Sequence, residues 1–206
     1  MADAARPIDR RWRAMALLLA LTAIVGLGLV VALALGWNSR RPNRALDWQA
    51  SGLPLTLEAG PGSVSARRFP IAPPSERLSI ELEARALSDE PFNGYGLILG
   101  GATSEQYTLF AVGSDGYYAL LAVEGDETSS LVPWQQFPHV RRGQQANRLR
   151  AACHERGASF YINDEFAVAL EQPVCAGGHV GLWLRGFESP VAVRFNHLHL
   201  WHGEHP

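Results

Sequence analysis

The chain has 206 residues, a formal net charge of −2, 47% hydrophobic and 18% charged side chains, and two cysteines. Residues 1–44 carry seven arginines against Asp3 and Asp9, whereas residues 45–206 carry eleven arginines against eighteen carboxylates. The larger part is therefore acidic, which excludes a non-specific nucleic-acid binder, and its length suits one folded domain.

Residues 1–13 form a basic tail with Arg6, Arg10, Arg11 and Arg13, too short to fold alone. The next 22 residues, 14–35, carry no charge. At about 1.5 Å rise per residue this run reaches roughly 33 Å, enough to cross a ~30 Å hydrocarbon layer, so residues 14–36 are read as one transmembrane α-helix. The arginines before the run are nearly balanced by Arg40, Arg41 and Arg44 after it. The expected orientation is a single pass through the cell membrane, with the N-terminus cytoplasmic and the C-terminal domain extracytoplasmic. A cleaved signal peptide is the alternative, with Ala32-Leu33-Ala34 as the small-residue site, although the run exceeds the usual length of such a segment.

Residues 37–48 are polar, rich in arginine and broken by Pro42, which marks a juxtamembrane linker before a domain at 49–203. From there the apolar period becomes two. Leu78, Ile80, Leu82 and Ala84 alternate with Ser79, Glu81, Glu83 and Arg85, the pattern of a half-buried antiparallel strand. Leu149, Ala151 and Cys153 alternate with Arg148, Arg150 and His154, and Val180, Leu182 and Leu184 with His179, Trp183 and Arg185. Further strands are expected at 53–59, 63–69, 95–100, 107–112, 117–123, 158–162, 166–170 and 191–200, separated by turns such as Ser114-Asp115-Gly116 and Asn163-Asp164-Glu165. In the last strand the apolar parity slips between Phe195 and Leu198, which predicts a bulge near Asn196 and His197. Eleven or twelve short strands without a helical period specify an all-β fold, two antiparallel sheets packed as a sandwich, preceded by the one transmembrane helix.

Residues 95–201 carry a series of short motifs: Tyr95-Gly96-Leu97-Ile98-Leu99, Gln106-Tyr107-Thr108-Leu109-Phe110, Gly116-Tyr117-Tyr118, Phe160-Tyr161-Ile162-Asn163, Gly178-His179-Val180-Gly181-Leu182 and Val193-Arg194-Phe195-Asn196-His197-Leu198. In this order they resemble the concanavalin A-like jelly-roll superfamily, and within it the 3-keto-disaccharide hydrolase domain family. The resemblance implies a jelly-roll sandwich and contact with sugars. Two departures bear on activity: Asp164 stands at the usual hairpin glycine, and Asn196-His197 stands at the closing Asp-Asn pair.

The polar face holds the candidate site residues. Trp183 and Arg185 project opposite Val180, Leu182 and Leu184, and an exposed indole beside a guanidinium can stack a sugar ring and bond its hydroxyls. Tyr107, Tyr117 and Arg150 join them as ligand-binding candidates, and a loop containing Trp134 and Phe137 is what could cover Trp183 instead. Glu81 and Glu83 share a strand face as glycosidase carboxylates would, but the alternating charges equally suit cross-strand pairing with Arg148, Arg150 or Arg185. His197, His199 and His202 lack a fixed set of further ligands, so no metal and no cofactor is expected. Cys153 and Cys175 permit one disulfide, which an exported domain would keep. Together these readings describe a membrane-anchored, non-catalytic domain whose partners are the bilayer, through residues 14–36, and a carbohydrate or cell-envelope protein. A glycoside hydrolase using Glu81 or Glu83 and a structural protein-interaction module are the alternatives.

Overall fold

The structure, a computed structural model, describes residues 15, 19, 22 and 26, 47–71, 77–100 and 105–202, the side chain of His202 excepted. The chain divides into two units, Met1–Arg40 and Arg41–Pro206. In the first, Met15, Leu19, Thr22 and Gly26 are helical. The rest of the expected helix at 14–36 lies outside the described residues, and among the described residues no helix is long and apolar enough to cross a membrane.

The second unit contains β1 (Trp48–Gln49), β2 (Leu55–Ala59), β3 (Val64–Pro70), β4 (Leu78–Ala86), β5 (Asn93–Leu99), β6 (Gln106–Val112), β7 (Tyr117–Glu124), β8 (Glu127–Gln136), β9 (Asn147–His154), β10 (Gly157–Ile162), β11 (Glu165–Leu170), β12 (His179–Gly186) and β13 (Val191–His202). They form two antiparallel sheets. The first has the order β1-β13-β4-β9-β10-β11, with β2 also paired to β13; the second has the order β3-β12-β5-β6-β7-β8.

Alternation sets the core. Leu78, Ile80, Leu82 and Ala84 of β4, Leu149 and Ala151 of β9 and Leu198 and Leu200 of β13 are buried against Tyr95, Leu97 and Leu99 of β5 and Val180, Leu182 and Leu184 of β12. The rings of Phe110 and Phe160 meet edge to face across the sandwich at 5.0 Å. The expected bulge is present, as a register shift between Phe195 and His197 opposite β4.

Two strands depart from the sequence reading. Trp48, placed in the linker, pairs with Leu200 as β1. Trp134, placed in a loop, belongs to β8, which among the described residues pairs only with β7 and does so through two register shifts. An edge strand tolerates Pro133 and needs no regular apolar alternation, so Glu127–Gln136 shows no period of two.

A buried asparagine joins the sheets. Asn147 donates from Nδ2 to Tyr95 Oη (2.9 Å) and to the Arg141 carbonyl (2.8 Å), while its Oδ1 accepts from Arg141 N (2.8 Å) and Asn163 Nδ2 (2.8 Å). Asn163 and Asp164 form the β10–β11 turn with φ of 53° and 75°, left-handed values that Asn and Asp accept more readily than most side chains. Asp164 Oδ2 in turn accepts from Arg148 Nη2 at 2.6 Å. Cys153 and Cys175 are disulfide-bonded with Cα atoms 6.1 Å apart, tying the end of β9 to the segment that leads into β12.

Candidate functional site

At one end of the second sheet three connections converge: the segment before β5, the β6–β7 turn and the segment after β12. They enclose a cleft of about 300 Å³ lined by Phe92, Asn93, Asp115, Tyr117, Trp134, Phe187 and Glu188. Small-molecule sites start at roughly this size.

Backbone and polar contacts hold each wall. Asn93 is buried; its Nδ2 donates to the Glu90 carbonyl (2.6 Å) and Ser114 Oγ (2.9 Å), and its Oδ1 accepts from Ser114 N (3.3 Å). That locks the segment before β5 to the β6–β7 turn. Asp115 Oδ1 accepts from Tyr117 N at 3.2 Å, and Gly116 follows with a φ of 97°, which L side chains rarely adopt. The amide of Phe187 donates to the Phe92 carbonyl at 3.3 Å, closing the third side.

The lining is aromatic and wet at its edge. Phe92 is 51% exposed, Tyr117 39% and Phe187 38%. Trp134 meets Phe187 edge to face at 6.2 Å, and the guanidinium of Arg185 lies over the Phe187 ring at 5.3 Å. Rings of this kind offer apolar faces to ligand C–H groups, and the Asp115 and Glu188 carboxylates offer acceptors.

The sequence-predicted ligand residues divide into three groups. Tyr117 lines the cleft. Arg185 and Trp183 stand behind it rather than in it. Trp183, expected on an open face, is only 4% exposed, because the outer face of the second sheet carries its own apolar cluster of Ile98, Leu109, Ala111, Val123 and Trp183, packed by Tyr107, Leu121 and Trp134. The indole lies so close over Gly94 that a Cβ there would stand 3.0 Å from it and 3.3 Å from Trp134. Trp134 therefore lies beside Trp183, as the covering alternative held, but from a strand and not a loop. Tyr107 belongs to the same face with its ring under the Arg68 guanidinium at 4.6 Å.

Arg150 is in a different place altogether, on the outer face of the first sheet. It faces Glu81 on β4 and lies over the Tyr161 ring at 4.2 Å. Burial lowers its pKa from the ordinary arginine value, opposed by Tyr161, Glu81 and Asp164. Glu83 faces Arg148 and accepts from Asn196 Nδ2 at 2.9 Å, while Glu81 Oε1 is 3.5 Å from His197 Nε2. His197 and His199 stack at 4.5 Å, and burial, then His197, lowers the His199 pKa. Both glutamates thus sit among cross-strand partners on a sheet face. Among the described residues no group of three His, Cys, Asp or Glu side chains is placed to hold a metal ion.

Phe92, Asn93, Asp115, Phe187 and Glu188 escaped sequence reasoning because they lie between strands or at a strand's first residue. A usable signal was present: Pro91-Phe92-Asn93-Gly94 and Gly186-Phe187-Glu188-Ser189-Pro190 each set a large ring inside turn residues, where no core position requires one.

Solved structures share this fold. Sheep galectin-11 in complex with glycerol is similar at 10% identity over 68% of this chain and 98% of that chain, with a TM-score of 0.50. The carbohydrate-binding module CBM66 from Bacillus subtilis is similar at 12% identity over 65% and 81% of the two chains, with a TM-score of 0.51. A family 7 alginate lyase, A1-II' in complex with substrate, is similar at 8% identity over 79% and 85%, with a TM-score of 0.51. At these identities the likeness establishes a jelly-roll β-sandwich and nothing finer. No protein-family model matches the chain, and no curated protein does so either.

Proposed function

We propose that the chain is a non-catalytic, membrane-anchored module that binds a glycan in the cleft between Phe92, Tyr117, Trp134 and Phe187. The observation that carries this reading is the cleft itself, in which four rings and two carboxylates converge from strands and connections tied by hydrogen bonds. Aromatic faces stack on sugar rings, and acceptors at the rim bond their hydroxyls. The carbohydrate-binding module and the galectin among the similar structures support a sugar as the ligand class on this fold. The apolar run at 14–36 and the Cys153–Cys175 bridge support anchoring with the sandwich on the oxidising, extracytoplasmic side.

Glycan-array binding by the full chain in detergent micelles tests the reading. Trp134→Ala and Tyr117→Ala should each abolish most retention; retention unchanged in both would place the ligand elsewhere. Protease protection on intact cells tests the orientation, with digestion of the sandwich expected from outside.

A second reading, a glycoside hydrolase as the 3-keto-disaccharide family resemblance implies, is favoured by Asp115 and Glu188 standing together in one cleft. Incubation with 3-keto-glycosides decides between the two. Turnover that Glu188→Gln removes would replace the binding reading.

A further inference from the structure

We propose that the sugar taken by the cleft carries a free amine, so that the site selects cationic amino sugars over neutral, N-acetylated or acidic ones. This rests on the glycan-binding reading and narrows it. The charged groups in the lining are Asp115 and Glu188, both anionic. One oxygen of Asp115 is held by the Tyr117 amide. Glu90 adds a third carboxylate behind the wall, where its Oε1 accepts from Phe92 N at 3.4 Å.

Around these acids stand the faces and edges of Phe92, Tyr117, Trp134 and Phe187. An aromatic enclosure attracts a cation through its ring quadrupoles, and a carboxylate beside it adds Coulombic attraction in a partly desolvated site. Both effects favour an ammonium group, and both disfavour a uronate. The Arg185 guanidinium lies over one face of the Phe187 ring at 5.3 Å, which leaves Phe92, Tyr117 and Trp134 as the rings for a ligand cation. Arg185 and Arg142, whose side chain lies against Gly116, are nearby cations that an acidic sugar could use, which makes a uronate the proper competitor in the test. The acidic balance of residues 45–206 acts in the same direction as the cleft, drawing cationic saccharides toward the domain.

The experiment is isothermal titration of the full chain in detergent, at mildly acidic pH, with three matched oligosaccharides: glucosamine, N-acetylglucosamine and glucuronate oligomers. The glucosamine oligomer should bind about tenfold more tightly than the N-acetylated one, and the advantage should shrink with added salt. Asp115→Asn combined with Glu188→Gln should erase that advantage, so that the amine and acetamide oligomers bind this variant alike. The carboxamide oxygen introduced at position 115 can still accept from Tyr117 N, so the turn is retained, and an unchanged urea unfolding midpoint by circular dichroism reports that the variant is folded. Equal affinity for amine and acetamide, tighter binding of the uronate, or an amine preference that survives in the double variant would each overturn the inference while the glycan reading stood. Failure of every oligosaccharide, with array binding also absent, would remove the glycan reading itself.

Discussion

Replacing Trp183 with alanine separates two roles that an indole on this face can have, contact with a ligand or support for the residues that make contact. The side chain is 4% exposed, covers Gly94 and packs with Trp134, Ile98, Leu109 and Val123. Truncating a buried tryptophan costs roughly 3–5 kcal/mol through lost transfer energy and the cavity left behind. Here the ring lies on the outer face of one sheet, where Trp134 can settle toward Gly94, so the lower end applies, about 3 kcal/mol. With a urea m-value of about 2 kcal/mol/M, the unfolding midpoint followed by far-ultraviolet circular dichroism should fall by about 1.5 M. Glycan affinity measured well below the transition should drop only about three- to tenfold, since Trp134 loses its backing but keeps its place in β8. Trp134→Ala should show the inverse balance, a smaller loss of stability and a larger loss of binding. A Trp183→Ala protein as stable as the parent to within about 0.5 kcal/mol, yet unable to bind, would refute the packing argument and return Trp183 to the ligand.

Tyr95 is fully buried and its pKa is pushed up to about 12 by burial, against the opposing hydrogen bond from Asn147. Its stabilising effect is complete below the unfolded value near 10 and is lost as pH rises toward 12, at about 1.4 kcal/mol per pH unit; urea midpoints between these limits should fall more steeply in the parent than in Tyr95→Phe. Asn147→Ala breaks four hydrogen bonds and leaves Tyr95 Oη without that partner, so it should cost about 3 kcal/mol, and a double-mutant cycle with Tyr95→Phe should show coupling of about 1 kcal/mol by denaturant unfolding. Replacing Cys153 and Cys175 with serine opens a link across 22 positions and should lower stability by about 3 kcal/mol on the loop-entropy model, read as a thermal shift under non-reducing conditions.

The period-two alternation of Leu78–Ala86 and His179–Gly186 was enough to place their inner and outer faces correctly, because one face of each strand is in the core. Parity states which face a residue occupies, not what lies over it. Trp183 shows the difference: it points outward as expected, but the glycine at 94 on β5 leaves room for the indole to lie over the strand. Arg150 shows a second gap, since two strands with the same alternation can belong to different sheets, and only long-range pairing assigns β9 to β4 and β12 to β5. The edge strand β8 was illegible because pairing on one side imposes no strict pattern. The cleft was illegible for a related reason: most of its lining lies on connections, where the constraint is proximity in space and not periodicity along the chain.

The two C-terminal strands of the sandwich complete both sheets. β13 is the partner of β1, β2 and β4, and β12 is the partner of β3 and β5. Among the described residues β1 and β2 pair only with β13, and β3 only with β12, so these three strands wait for β12 and β13 to be synthesised. Trp48 and Leu200 are separated by about 150 residues, which at about 5–20 residues per second leaves the first strand waiting on the order of ten to thirty seconds. The local ladders β5–β8 and β9–β11 can form as they emerge, but the first three strands cannot join them until β12 and β13 are made. The domain must be kept from aggregating as an incomplete set of strand edges, and its closure is a single late event governed by long-range contacts, which makes folding intrinsically slow.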